Sequence, residues 1–134
     1  MNDRSLVMIV DDDDSVRGAA RRLIKSYGLA VDTFPSAEAF LASGRLKDTA
    51  CLVLDVHMPG LSGLELQSQL VASGNDIPII FITAIADEHA RTQALAAGAY
   101  CYLVKPFEED DLLLNIHRAL QRTTATNLID RVDL

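Results

Sequence analysis

Five side chains capable of polar chemistry stand directly after apolar runs. Asp11 and Asp12 follow Leu6-Val7-Met8-Ile9-Val10, Asp55 follows Ala50–Leu54, Thr83 follows Pro78–Ile82, and Lys105 follows Tyr100–Val104. Brought together, such acids resist sharing one space: two like charges about 4 Å apart repel by about 4 kcal/mol at an effective dielectric of about 20. Three carboxylates would therefore hold a cation or leave one of their number protonated. Oxygen ligands alone suit magnesium (Mg²⁺), with Mn²⁺ as the alternative; the set has no thiolate and no helical His pair, which argues against zinc. A cation, an ammonium and a hydroxyl around one carboxylate form a receptor for a phosphoryl group. Asp55 is then the candidate nucleophile, because a carboxylate can take up a phosphoryl group as an acyl phosphate.

Each residue alone has a plainer reading. Asp55 would be an ordinary loop acid, Thr83 a turn cap, Lys105 a solvated lysine and Tyr102 strand packing. The sharper reading rests on their joint placement. The apolar runs, with Ala30–Phe34 as the second, number five, and all but that second run are nearly continuous in apolar residues. That pattern predicts parallel strands buried on both faces. Ligands of an open parallel sheet bind at the carboxyl ends of its strands, and four of these five ends carry the residues named above, while the second ends on Pro35.

Helical spacing fills the gaps. Val16, Ala19, Ala20, Leu23, Ile24 and Tyr27 mark a first helix stopped at Gly28. Ser36 caps a short second helix through Phe40 and Leu41. Ser62-Gly63-Leu64-Glu65 predicts a capping box for a third, which ends near Gly74. Asp87 caps a fourth that carries Ala90, Ala94 and Ala97, a thin face suited either to close packing or to movement. Glu108 to Asp111 open a fifth at its positive dipole end, with Leu112, Ile116, Ala119 and Leu120 facing inward. The order is βα five times over, an α/β class with right-handed crossovers.

Composition narrows the function. The 134 residues are 49% hydrophobic and 23% charged, which fits one compact domain. Twelve basic and nineteen acidic residues leave a net charge of −7. That balance argues against direct nucleic-acid binding by this chain and against anionic membranes. The apolar runs are far shorter than the roughly 20 residues that span a bilayer, and the opening MNDRSLVMIV lacks the form of a signal peptide. The expected location is cytoplasmic.

The stretches "IVDDDDSVR", "LVLDVHMPGLSGLEL", "PIIFITA" and "AAGAYCYLVKPF", in this order, resemble the receiver domain of bacterial two-component response regulators. The loop after Asp55 is most similar to the FixJ-type branch. The resemblance covers about residues 5 to 122, leaving 123–134 as a C-terminal tail or the start of a linker. It implies a flavodoxin-like sheet in the order 2-1-3-4-5. It also implies that Asp55 is the phosphoacceptor and that Asp12 binds Mg²⁺ directly, Asp11 mainly through water, and His57 through its main-chain carbonyl. Thr83 and Lys105 would contact the phosphoryl oxygens. Tyr102 would move with Thr83, and Lys105-Pro106 would be a cis bond. Asp13 and Asp14 then belong to the start of the first helix.

The implied partners are a sensor histidine kinase or a phosphotransfer protein, with a homodimer through the face of helix 4, strand 5 and helix 5 as a further option. The domain would signal rather than turn over substrate, catalysing only its own phosphorylation and dephosphorylation. His57, two residues past the acceptor, either influences hydrolysis of the acyl phosphate or is a solvent-exposed bystander; His89 and His117 read as surface residues. Ile85 cannot orient a water by hydrogen bonding, which predicts a long-lived phosphorylated state. In that strand order Cys51 and Cys101 lie about 10 Å apart, at about 4.8 Å per strand step. That is beyond disulfide reach, so both are expected to be buried free thiols. Two other classes fit the residues less well. A haloacid dehalogenase-like phosphohydrolase wants a second Asp where His57 stands. An interaction module that is never phosphorylated would not need the full acid, hydroxyl and lysine set.

Overall fold

A computed structural model describes residues 6–132. Five strands alternate with five helices: β1 (Val7–Val10), α1 (Asp14–Ser26), β2 (Val31–Phe34), α2 (Ala37–Ala42), β3 (Cys51–Asp55), α3 (Gly63–Ala72), β4 (Ile79–Thr83), α4 (Glu88–Ala96), β5 (Cys101–Val104) and α5 (Glu109–Val132). A 3-10 turn at Leu46–Asp48, with no advance signal in the sequence, leads into β3. The strands form one sheet in the order β2-β1-β3-β4-β5, and every pairing is parallel. The expected flavodoxin-like topology is the one observed.

Side-chain alternation splits the core in two. Met8, Val10, Leu52, Leu54, Ile79 and Phe81 face a layer that contains Phe40 of α2, Leu66 and Leu70 of α3, and Ala90 and Ala94 of α4. Val7, Ile9, Cys51, Val53, Ile80 and Ile82 face Ala20 and Ile24 of α1 and Leu112, Leu113 and Ile116 of α5. Burying a side chain such as Ile24 or Ile116 fully stabilises the fold by about 1.5–3 kcal/mol.

The caps are where the sequence places them. The Asp13 carboxylate accepts from the N–H groups of Ser15 and Val16 and starts α1. Ser36 and Asp87 cap α2 and α4, and Ser62 with Glu65 closes the capping box of α3.

Three expectations change. β5 reads as buried on both faces, but it is the edge strand of the expected order and all four of its residues are half-buried. Cys101 is therefore half-buried rather than buried; both cysteines are free, and full burial pushes the Cys51 thiol up to about 12. Ala19 and Tyr27 of the first helical stripe and Ala97 of the fourth are exposed, because those helices bury a narrower face than the spacing allows. The last helix, α5, runs on past residue 122 to Val132, a stretch with neither Gly nor Pro to stop it.

Candidate functional site

Register brings the strand-end residues to one level. Val10 pairs with Leu54, so Asp11 and Asp55 come next on neighbouring strands. Thr83 pairs with Val104, and Lys105 follows, its N–H donating to the Thr83 carbonyl at 2.8 Å. Asp11, Asp12, Asp55, His57, Thr83, Ile85 and Lys105 all line one cavity of about 200 Å³. A larger cavity of about 330 Å³ lies at the other end of β4, lined by Gln67, Leu70, Ile77 and Gly98 among others, without a cluster of acids. Chemistry, not size, marks the first as the candidate site.

Alternation also assigns sides. Counting in steps of two, Asp11, Asp55 and Lys105 continue the side facing α1 and α5. Thr83 and Tyr102 continue the side facing α4. The charged half and the hydroxyl half therefore meet at the rim from opposite layers.

The three acids are close, and two of them, Asp11 and Asp55, are poorly solvated while Asp12 is exposed. One ligand atom from each of Asp11, Asp12 and Asp55 lies within 4.8 Å of the others. Asp11 is fully buried and Asp55 is 9% exposed. Burial pushes the Asp55 carboxyl up to about 7; the charge of Asp11 adds to this, and the His57 N–H, donating at 3.3 Å, opposes it. Burial also raises Asp11, against the Asp13 N–H and the charge of Lys105. Asp11 Oδ1 accepts from Asp13 at 2.9 Å, but Asp11 Oδ2 is buried without a hydrogen-bond partner. A buried carboxylate oxygen lacking a donor is costly unless a cation or its water completes it. The donor set, all oxygen and doubly acidic, fits a divalent cation.

The hydroxyl half is held more loosely. The fully buried Thr83 hydroxyl accepts from the Ile85 N–H at 3.2 Å and donates to the Ile85 carbonyl at 3.4 Å. The Tyr102 ring packs on Phe81 with centroids 6.0 Å apart, and its hydroxyl is buried with no partner. The Lys105-Pro106 bond is cis. The side chains of His57, His89 and His117 are exposed, and Ile85 is exposed at the cavity edge.

Three supporting residues escaped the sequence reading. Arg17 donates from Nη1 to the Asp11 carbonyl at 2.8 Å and from Nη2 to the Asp14 carboxylate, tying the acidic turn to α1. Its spacing from Asp14 was a usable signal. Gly63 lets α3 start against β3: a Cβ there would meet the Asp55 carbonyl oxygen at 2.1 Å. Glu38 of α2 accepts from the Leu61 N–H at 2.8 Å, across 23 residues, with no local signal in the sequence.

Residues 7–117 match the family model described as the response regulator receiver domain. The chain belongs to that family, a class of signalling domain in two-component systems. Among relatives, the response regulator protein TmoT of Ectopseudomonas mendocina is 46% identical over 122 residues, covering 90% of this chain and 56% of that protein. The transcriptional regulatory protein FixJ of Azorhizobium caulinodans is 40% identical over 117 residues, 87% of this chain and 56% of that one. Among solved structures, the response regulator StyR superposes with a TM-score of 0.86 at 45% identity, over 96% of this chain and 65% of that chain. The crystal structure of FixJ-N gives 0.78 at 38% identity, over 87% and 93%. The chain spans about half the length of the curated relatives it matches. Among the described residues, no helix is long and apolar enough to cross a membrane.

Proposed function

We propose that this receiver is a phosphorylation-dependent binding switch with Asp55 as its phosphoacceptor. The observation that carries the reading is the convergence of Asp55, an acid pair, a hydroxyl and an ammonium on one small cavity. An Asp55 carboxylate oxygen attacks the phosphorus of a phosphohistidine on a sensor kinase or phosphotransfer protein. The P–O bond forms as the P–N bond breaks, and the imidazole leaves with the bonding pair. Lys105 and the Thr83 hydroxyl bind the phosphoryl oxygens. Asp12, Asp11 through water, Asp55 and the His57 main-chain carbonyl hold Mg²⁺ or, in its place, Mn²⁺. When bound, the cation neutralises the acids and the transferring charge.

Thr83 then draws toward the phosphoryl group, and Tyr102 follows it on the same side of the sheet. Both border α4, so the face formed by α4, β5 and α5 is the surface that changes and binds a partner or a second copy of the chain. Ile85 at the cavity edge cannot orient an attacking water, so the phosphorylated state is long-lived. The receiver spans residues 1–122, with 123–134 as a C-terminal tail or the start of a linker. The domain works in the cytoplasm, without direct nucleic-acid contact.

Incubation with acetyl phosphate and Mg²⁺, followed by intact mass, tests this reading. One added phosphoryl group is expected on the native chain, none with EDTA and none on Asp55→Asn. A native chain that gains no phosphate overturns the proposal and favours an interaction module.

A further inference from the structure

The loop between β3 and α3, residues 56–62, positions the backbone around Asp55. Most of its hydrogen bonds are local. The Gly63 N–H donates to the Val56 carbonyl at 3.0 Å. The Ser62 N–H donates to Glu65 at 2.9 Å, and His57 donates to Asp55. Among the described residues, the hydrogen bond that ties this loop to a different element is the one from the Leu61 N–H to Glu38 Oε2 on α2.

A second observation shows that the loop is shaped for that carboxylate. Gly60 has a φ of +75°, and a Cβ built on it would lie 2.4 Å from Glu38 Oε2. The bare Cα of Gly60 thus serves two ends, a left-handed turn and room for the carboxylate. Glu38 also accepts from its own backbone N–H in the first turn of α2, which fixes the side chain before it reaches the loop. The interaction with Leu61 holds the carboxyl below the usual range, as a hydrogen bond to the charged form does.

We infer that Glu38 is a positioning residue: its clasp on Gly60 and Leu61 holds the 56–62 loop in the register that presents the His57 main chain to the cation site, and so sets the affinity for Mg²⁺. The inference rests on the phosphoacceptor reading above. Without the clasp, no hydrogen bond among the described residues ties the loop to an element other than β3 and α3, although Val56 and Met58 stay buried in the core; ion binding must then order the turn at 57–61, which weakens affinity without altering the bound site.

The test compares Glu38→Ala, Glu38→Gln and the native chain. Three readouts apply: Mg²⁺ titration followed by the His57 amide signal, acetyl phosphate labelling as a function of Mg²⁺, and hydrogen exchange at the Leu61 amide. Glu38→Ala should raise the apparent Kd for Mg²⁺ by about 3- to 10-fold, with the labelling rate at saturating Mg²⁺ within about twofold of native. Leu61 exchange should quicken. Glu38→Gln keeps an oxygen that accepts from Leu61, and should stay within about twofold of native on all three.

Equal weakening in Glu38→Ala and Glu38→Gln would assign the effect to lost charge and overturn the clasp. So would a native Kd in Glu38→Ala. A second variant, Gly60→Ala, displaces the carboxylate from the other side. It also strains the left-handed turn in either background, so it should weaken Mg²⁺ binding in both but by more in the native background than in Glu38→Ala; equal effects in both would also remove the clasp. A native chain that binds no Mg²⁺ sinks the phosphoacceptor reading instead, while Leu61 exchange still reports whether the clasp forms.

Discussion

The two halves of the site are built differently. On the side of α1 and α5, Asp11 is fixed by the Asp13 N–H at its carboxylate and by Arg17 at its carbonyl, and Asp55 accepts from the His57 N–H at 3.3 Å. The backbone beyond Asp55 is pressed directly under Gly63. On the side of α4, the Thr83 hydroxyl has, among the described residues, only the contacts of 3.2 and 3.4 Å to Ile85, and the Tyr102 hydroxyl has no partner among them. The residues of α4 that are buried are two alanines, Ala90 and Ala94. A firm half concentrates charge; a loose half has little to lose by rearranging. A switch needs both, because the reacting carboxylate must be preorganised while the responding element keeps a low cost of movement.

The comparison can be broken most severely at Gly63. Gly63→Ala drives a methyl into the Asp55 carbonyl, where no flexible side chain can give way. Urea denaturation should show a loss of about 3 kcal/mol or more, far above the usual effect of such a change near a helix start.

The next effect is electrostatic. The fold favours protonated Asp55, raised from 3.8 to about 7. The stability tied to that proton is complete below the ordinary carboxylate value and is lost as pH rises through about 7. Without metal, unfolding free energy should fall between about pH 4 and pH 7 by roughly 1–3 kcal/mol more in the native chain than in Asp55→Asn. Mg²⁺ should restore the loss at pH 8 and add little at pH 5. A Tm series with and without Mg²⁺ measures both; equal pH slopes in the two proteins would break the account of the firm half.

Arg17→Ala should cost about 1–2 kcal/mol by removing a charged donor from the Asp11 carbonyl, and Arg17→Lys should not restore it, since one ammonium does not reproduce the guanidinium fork. The smallest change belongs to the loose half. Tyr102→Phe removes a buried hydroxyl that has no partner, so stability should stay level or rise by up to about 1 kcal/mol. A clear loss on chemical denaturation would show that Tyr102 is anchored after all.

Much of this was legible in the residues. Nearly continuous apolar runs, helical spacing of three and four, and the caps at Asp13, Ser36, Ser62 and Asp87 depend on neighbours a few positions apart, and they placed the strands and the helix starts within a residue or two. The strand-end rule then gathered Asp11, Asp12, Asp55, Thr83 and Lys105 around one cavity. What stayed hidden depends on distant chain. The contact of Glu38 with Leu61 spans 23 residues, and the fit of Gly63 against Asp55 depends on how a helix seats on a strand. The edge position of β5 was in the expected strand order, but the half-burial that goes with it is not written in its apolar run. Nor does spacing alone reveal that the Tyr102 hydroxyl lacks a partner.

The central claim is that one carboxylate, at position 55, takes the phosphoryl group. Borohydride reduces an aspartyl phosphate to homoserine, so reductive trapping of the labelled chain followed by peptide mapping reads the position directly. The account predicts homoserine at position 55 alone, dependent on Mg²⁺ and absent in Asp55→Asn. Homoserine at position 11 or 12, or a labelled chain with none at 55, would contradict it.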